Sequence, residues 1–291
     1  MLRRTEHALR RGALHPIKTI QATIEDGGVR FLVRQVSSLA RKDDDRQKRK
    51  AKARDSGEVD PFLPYDPDLF VADVSDTHLA LLNKFNVIDH HLLIVTRRFE
   101  DQEALLTLAD FTALFACMAE FQGLGFYNGG ATAGASQRHK HLQIVPLPLA
   151  KQGPALPIEP LLASARMDGP IGTVPGLAFP HAFARLEPSP GNPPLEVAHT
   201  AFDRYRALLE AVGLRAIDVN GEPHQSGPYN LLVAPRGMLL VPRSTACVEG
   251  ISVNALGFAG SLFVRDEGQM RIIEKLGPMT VLRRVAGPAS T

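Results

Sequence analysis

Hydrophobic residues recur at helical spacing in two parts of the chain. The first predicts a helix over residues 101–121, with Asp101 and Glu103 in its first turn, and its apolar positions are Ala104, Leu108, Phe111, Phe115 and Met118. The second begins near Thr200 and Asp203, which predict a helix cap, and its apolar positions are Phe202, Tyr205, Leu209 and Val212. Residues 1–11 predict a short amphipathic helix.

Shorter apolar runs have the length and composition of strands. They predict strands over residues 92–95, 230–233 and 238–241, the last two joined as a hairpin, and an alternating strand after the Gly27-Gly28 turn. Twelve of the 22 prolines lie in residues 146–194, which excludes long regular elements there. We therefore expect an α+β fold with an antiparallel or mixed sheet. Its parts are an N-terminal region over residues 1–155, a proline-rich irregular connector over 156–195, and a C-terminal region over 196–291, packed as one compact unit.

Composition narrows the function classes. The net charge of +2 is a poor match for a general nucleic-acid coat. The two cysteines form no CxxC pair, which argues against a zinc ribbon or a dithiol redox site, and reduced thiols in the cytoplasm are expected. No apolar run approaches the roughly 18 residues of a membrane span. The basic stretch over residues 41–56 favours a solvated loop, and the alternative is a lid whose lysines reach an anionic substrate.

The candidate chemistry is concentrated between Tyr127 and Val145. His139, His141 and Gln143 alternate along a predicted strand over residues 139–145, so they share one face with neighbours roughly 6.6 Å apart. Leu142 and Ile144 face the other side and are expected to anchor the strand in a core. The row of three polar side chains has a length comparable to a polyphosphate chain.

A glycine-rich turn precedes this strand. Gly129, Gly130 and Gly134 allow close approach of the backbone to a ligand, and their N–H groups could bind phosphate oxygens. Ser136 and Asn128 add neutral hydrogen-bonding groups. Such a turn leading into a histidine strand suggests nucleophilic attack on phosphorus. Two alternatives stay open: a metal site on the HxH pair, although no nearby Asp, Glu or Cys supplies a third ligand, and a purely structural polar strand.

The segment from Gly129 to Gln143 resembles the active-site signature of the diadenosine tetraphosphate phosphorylases, also called ATP adenylyltransferases. This family belongs to the histidine-triad and galactose-1-phosphate uridylyltransferase superfamily. The resemblance extends over nearly the whole chain, through residues 14–42, 60–63, 82–85, 91–96, 229–232, 241–244 and 252–260. Asn86 and His90 depart from the family pattern and bear on substrate choice more than on class. The resemblance implies a HIT-like, GalT-like fold with a mainly antiparallel sheet flanked by helices.

The resemblance also implies roles for the candidate residues. His141 is the expected nucleophile, His139 would orient the strand and the phosphate, and Gln143 would hold a nonbridging oxygen. Ser136 and Asn128 would position the phosphate chain or the imidazole. Further substrate contacts are expected from Lys84, Asn83, Gly129, Gly130, Gly134, Gln137 and either Lys50 or Lys52. For His181 a structural role is favoured over a place near the nucleotide.

The implied reaction is phosphorolysis of diadenosine tetraphosphate to ATP and ADP through an adenylyl-histidine, with Mg²⁺ or Mn²⁺ carried by the substrate. Gln143 cannot act as a proton-transfer acid, which favours phosphate as acceptor over hydrolysis. The alternatives are a related transfer, ADP sulfurylase-like or sugar-nucleotide uridylyltransferase-like, and a nucleotide-binding sensor without turnover. We expect a cytoplasmic monomer with no resident metal, no nucleic-acid partner and no membrane partner.

Overall fold

The structure is a computed structural model that describes residues 1–36, 60–187 and 191–286. Seven helices lie within these ranges: α1 Leu2–Arg11, α2 Leu108–Glu120, α3 Glu159–Ala163, α4 Pro194–Ala211, α5 Ala255–Phe258, α6 Glu267–Leu276 and α7 Pro278–Ala286. The strands are β1 Thr19–Asp26, β2 Val29–Val36, β3 Phe70–Asp73, β4 His78–Leu82, β5 Leu92–Thr96, β6 Gly123–Gly129, β7 His141–Pro146, β8 Arg166–Asp168, β9 Ile171–Thr173, β10 Ala182–Arg185, β11 Ala216–Val219, β12 Glu222–Gln225, β13 Tyr229–Ala234, β14 Gly237–Pro242, β15 Cys247–Val248, β16 Ile251–Ser252 and β17 Ser261–Val264.

One large sheet organises the fold. Its ten strands lie in the order β3-β4-β5-β7-β6-β13-β14-β10-β9-β8, and every neighbouring pair is antiparallel. The pairing of β6 with β13 joins the N-terminal and C-terminal halves of the chain in this sheet. A smaller sheet adds β17, in parallel, to the β1–β2 hairpin. The predicted α+β fold with a mainly antiparallel sheet is confirmed.

The helix patterns predicted the elements but not all of their bounds. Helix α2 begins at Leu108 instead of Asp101, because Thr107 caps it and the Asp110 carboxylate accepts from the Thr107 backbone N–H in a capping box. Helix α4 begins at Pro194, before the expected cap. The Thr200 hydroxyl lies inside α4 and donates to the Glu196 carbonyl, so its role as a cap was predicted wrongly.

Apolar packing covers both faces of the large sheet. On one face, Leu142 and Ile144 of β7 lie in a core with residues of α2 and α4, as their alternation predicted. On the other face, Val145 and Phe126 lie in a second core with residues of α5, α6 and α7. Within residues 156–195, three short strands (β8–β10) form between the prolines and extend the sheet edge. In the described ranges, no helix combines the length and apolar character needed to cross a bilayer.

Candidate active site

The predicted histidine strand lies in the middle of the large sheet. Strand β7 begins at His141, between β5 and β6, and His139 just before it forms a single bridge with Asp101. The ring of Phe62 lies 5.6 Å from the His139 ring and 5.4 Å from the His141 ring, so both imidazoles occupy one face. Gln143 is opposite Leu93, which packs in the same apolar cluster as Phe62. The three polar side chains therefore share a face.

His141 is held as a neutral imidazole with a defined tautomer. Its Nδ1 lies 2.8 Å from the His139 carbonyl, which can only accept, so Nδ1 carries the proton and Nε2 carries a lone pair. The side chain is 4% exposed. Burial lowers its pKa to about 4, an effect that the His139 carbonyl opposes and the charge of the His139 ring reinforces. At neutral pH, Nε2 is available as a nucleophile.

Both ring nitrogens of His139 lie within hydrogen-bonding distance of oxygen atoms. Nδ1 is 2.7 Å from Asp60 Oδ2, and Nε2 is 2.8 Å from the Thr96 carbonyl and 2.9 Å from Thr96 Oγ1. The Thr96 hydroxyl gives its own hydrogen to the Arg98 carbonyl. Asp60 and Thr96 therefore hold the His139 ring from two sides. Protein atoms thus occupy both ring nitrogens of His139, which leaves neither of them for the expected phosphate contact.

A chain of hydrogen bonds orients the Gln143 amide. Asn83 Oδ1 accepts from the Phe85 backbone, so its Nδ2 donates to His91 Nδ1 at 3.0 Å. His91 then carries its proton on Nε2, which lies 2.9 Å from Gln143 Oε1. With its oxygen committed to His91, the Gln143 amide nitrogen remains as the donor. Asn83, expected at the substrate, acts on Gln143 through His91.

The glycine turn requires its glycines. Gly130 and Gly134 have φ angles of 92° and 94°, a region that side chains disfavour. A Cβ on Gly130 would lie 2.6 Å from Glu103 Oε1, and one on Gly134 would lie 2.9 Å from the Val253 carbonyl. Gly129 ends β6, immediately before this turn. The turn is thus closely packed against neighbouring segments.

Three buried polar residues fix the turn to the C-terminal half. Asn128 Oδ1 accepts from Asn230 Nδ2 and from the Ala255 backbone, each at 2.9 Å. Asn230 also donates to the Ala133 carbonyl at 2.8 Å. Arg243 donates to Asn230 Oδ1 at 2.5 Å and to the Ala133 and Val253 carbonyls, and burial lowers its pKa to about 10. The side-chain oxygen of Asn128 therefore binds groups of the C-terminal half that hold the turn in place.

The remaining candidates are more exposed. Ser136 is exposed and Gln137 half-buried, in the segment between the glycine turn and His139. Lys84 lies beside Asn83 with Nζ 3.8 Å from Asp66 Oδ2. Lys50, Lys52 and the basic stretch over residues 41–56 fall outside the described residues.

His181 has the structural role that was favoured. Its Nε2 accepts from the Val174 backbone and its Nδ1 donates to the Phe179 carbonyl, both at 2.8 Å. Burial lowers its pKa, which the Phe179 carbonyl partly opposes. Both ring nitrogens are thereby engaged by the backbone.

A buried ion cluster lies behind the site. Lys140, between the two histidines, turns to the opposite face, where Nζ contacts Glu100 at 2.9 Å and Asp110 at 3.0 Å. Asp110 also accepts from His78 Nε2 at 3.0 Å. Burial would raise the Asp110 pKa, but the His78 hydrogen bond and the Lys140 charge outweigh it and lower that pKa to about 2. The cluster ties the start of β7 to β4 and α2.

Sequence reasoning missed most of these supporting residues. Asp60, Thr96, His91, Asn230 and Arg243 contact the site from segments far away in the chain. The resemblance covered the segments of all five residues, but no local pattern indicated their partners. The pairing of β5 with β7 would have indicated His91, just before β5, and Thr96, at its end, and the pairing of β6 with β13 would have indicated Asn230, opposite Asn128.

Sequence comparison finds two family domains in the chain. Residues 1–164 match the Ap4A phosphorylase N-terminal domain, and residues 175–288 match the ATP adenylyltransferase C-terminal domain. Diadenosine 5',5'''-P1,P4-tetraphosphate phosphorylase 2 of Saccharomyces cerevisiae is 28% identical over 244 residues, which are 75% of this chain and 73% of that protein. The protein APA1 of the same yeast is 26% identical over 242 residues, 75% of this chain and 71% of that protein.

Solved structures share the fold. The crystal structure of yeast Ap4A phosphorylase Apa2 has a TM-score of 0.78 and 22% identity, covering 100% of this chain and 97% of that chain. The structure of Apa2 in complex with Ap4A has a TM-score of 0.76, 22% identity, and coverage of 100% and 98%. A neutral histidine can act as the nucleophile of a group transfer, and the two domain matches identify an enzyme of the ATP adenylyltransferase type. Because the N-terminal domain match alone spans more than half of the sequence, the chain belongs to the Ap4A phosphorylase family.

Proposed function

We propose that this protein phosphorolyses diadenosine tetraphosphate (Ap4A) to ATP and ADP. The observation that carries the proposal is the neutral, buried His141 with its Nε2 lone pair free of the His139 carbonyl, in a chain of this family. The yeast relatives support the substrate, since one is an Ap4A phosphorylase by name and the Apa2 structure includes an Ap4A complex.

The chemistry takes two displacements. His141 Nε2 attacks an α-phosphorus of Ap4A, the P–N bond forms, and the bond to the bridging oxygen breaks, which releases ATP. The imidazole is then positively charged, and the His139 carbonyl stabilises that charge through the Nδ1 proton. Inorganic phosphate attacks the adenylyl group in the second step, breaks the P–N bond and yields ADP.

The Gln143 amide explains the choice of acceptor in this proposal. His91 holds its oxygen, so its NH₂ group is the part that can donate to a nonbridging phosphate oxygen. An amide supplies no proton-transfer base for water. Phosphate is already an anion and needs no such base, which favours phosphorolysis over hydrolysis.

The polyphosphate charge needs positive partners. We propose that the substrate carries Mg²⁺ or Mn²⁺, which polarises the phosphoryl oxygens, and that the backbone of Gly129, Gly130 and Gly134 receives the phosphates. Ser136 and Gln137, on the segment after the turn, and Lys84, beside Asn83, are the proposed side-chain contacts, with Lys52 as a further lysine from the basic stretch. We further propose a cytoplasmic monomer whose partners are nucleotides and phosphate, without nucleic-acid or membrane partners.

Product analysis tests the function. Purified protein is incubated with Ap4A and Mg²⁺, with and without phosphate, and the products are separated by ion exchange. We expect equal ATP and ADP that appear only when phosphate is present. AMP and ATP formed without phosphate would identify a hydrolase. Binding of Ap4A without cleavage would identify a sensor or a different donor.

A further inference from the structure

A glutamine side chain interrupts the pairing of the two strands that form the site. Strands β6 and β7 pair from Gly123 opposite Pro146 to Phe126 opposite Gln143. Continuing this register would place Asn128 opposite His141. At that position the side chain of Gln102 lies between the strands and hydrogen-bonds to both of those residues.

The Gln102 amide substitutes for a strand partner. Its Oε1 accepts from the His141 backbone N–H at 2.9 Å, and its Nε2 donates to the Asn128 carbonyl at 2.9 Å and to the His141 carbonyl at 3.3 Å. An amide side chain presents the same donor and acceptor groups as a peptide unit. Every polar atom of this side chain is therefore used on the backbone of His141 and Asn128.

Gln102 itself is firmly held. Its backbone N–H donates to the Arg138 carbonyl at 2.6 Å, and its carbonyl accepts from the Tyr127 hydroxyl. The side chain is 2% exposed. The residue thus links β6, the segment before His139, and the backbone of the histidine itself.

We propose that Gln102 is a positioning residue that sets the distance between the backbone of His141 and the end of β6, where the glycine turn begins. The proposal rests on the proposed function of His141 as nucleophile. Without the amide, the buried N–H of His141 either loses its partner or pairs directly with Asn128, and both changes move the imidazole. A misplacement of about 1 Å at a reacting group lowers the rate by about a hundredfold.

Gln269 offers a matched control. It is also buried, its Oε1 accepts from the Arg265 backbone at 2.9 Å, and its Nε2 donates to the Gly250 carbonyl at 2.9 Å. It lies in α6, outside the site described above. Gln102→Met and Gln269→Met therefore remove the same kind of side-chain bridge between backbone groups.

The first experiment compares kcat for Ap4A phosphorolysis and the urea midpoint of the two methionine variants. We expect similar losses of stability, with kcat lowered about a hundredfold in Gln102→Met and within about twofold of wild type in Gln269→Met. Equal kcat in both variants would overturn the proposal.

The variant Gln102→Glu provides a second test of the same proposal. An ionised carboxylate can accept from His141 but cannot donate to the two carbonyls, whereas the protonated form donates once. Burial beside carbonyls favours the protonated form. The ratio of variant to wild-type kcat should therefore rise as the pH falls from 8 to about 5.5, and a pH-independent ratio would contradict the inference.

A readout without substrate separates this inference from the proposed function. The His141 ring signals, assigned by their loss in His141→Ala, are compared by NMR in unliganded wild type, Gln102→Met and Gln269→Met. We expect a shift of these signals in Gln102→Met alone. If the wild type did not phosphorolyse Ap4A but Gln102→Met still showed this shift, the proposed reaction would be rejected and the positioning role supported. Unchanged signals in Gln102→Met would reject that role.

Discussion

The buried carboxylate of Asp110 should contribute strongly to stability, and Asp110→Asn tests this. Asp110 accepts from His78 and from the Thr107 backbone and contacts the Lys140 ammonium, which is 1% exposed. Removing the charge leaves Lys140 with the partly exposed Glu100. Breaking one side of a buried ion pair costs about 3–5 kcal/mol.

The lowered pKa of Asp110 gives a second measure of how much this carboxylate contributes to the free energy of unfolding. Lowering the Asp110 pKa from 3.8 to about 2 corresponds to about 2 kcal/mol of stability at neutral pH. Because the folded-state pKa is the lower one, this contribution is present above about pH 4 and is lost as the pH falls towards 2. We therefore expect Asp110→Asn to cost about 3 kcal/mol at pH 6, and the difference from wild type to narrow by about 1 kcal/mol at pH 3.

Urea denaturation at pH 6 and pH 3 measures this difference directly. Asp73→Asn is the matched control, since Asp73 forms an exposed ion pair with Arg97 in the same sheet, and its loss should cost less than about 1 kcal/mol. A difference between wild type and Asp110→Asn that stays constant from pH 6 to pH 3 would refute the reasoning. So would an equal effect of the two substitutions.

Three further predictions concern the site itself. His141→Ala should abolish phosphorolysis, and substantial residual turnover in product assays would move the nucleophile elsewhere. Gln143→Ala should lower kcat by roughly 10²–10³, the effect of one lost transition-state donor, and unchanged kinetics would reject its role. In Asp60→Asn the side-chain oxygen keeps its hydrogen bond from the Phe62 backbone, so an amide nitrogen faces His139 Nδ1 and the contact with this ring nitrogen changes. The ¹⁵N NMR signals of the His139 ring should therefore shift in the variant, and unchanged signals would contradict this contact.

The strands were more predictable than the helix bounds. The hairpin of β13 and β14, and the buried strand β5, follow from local apolar runs between turn residues. The start of α2 depends on the Thr107–Asp110 capping box, and Asp110 is itself fixed by His78 and Lys140 from other segments. A prediction from apolar spacing alone therefore starts the helix too early, before the residue that caps it.

The site was predictable where its residues are close in sequence. Alternation placed His139, His141 and Gln143 on one face, and the structure agrees. Their hydrogen bonds depend on residues far away in the chain: Asp60 and Thr96 contact the two ring nitrogens of His139, and His91 orients Gln143. A pattern within one segment carries no information about such partners.

The most direct test of the central claim is peptide mass spectrometry after mixing the protein with Ap4A and Mg²⁺ in the absence of phosphate. The reaction is quenched in base, which preserves a phosphorus–nitrogen bond, and the modified peptide is sequenced. We expect an adenylyl group on His141 that disappears, with formation of ADP, when phosphate is added before the quench. Adenylylation of another residue, or phosphorolysis at the full rate in His141→Ala, would contradict the role of His141 as nucleophile.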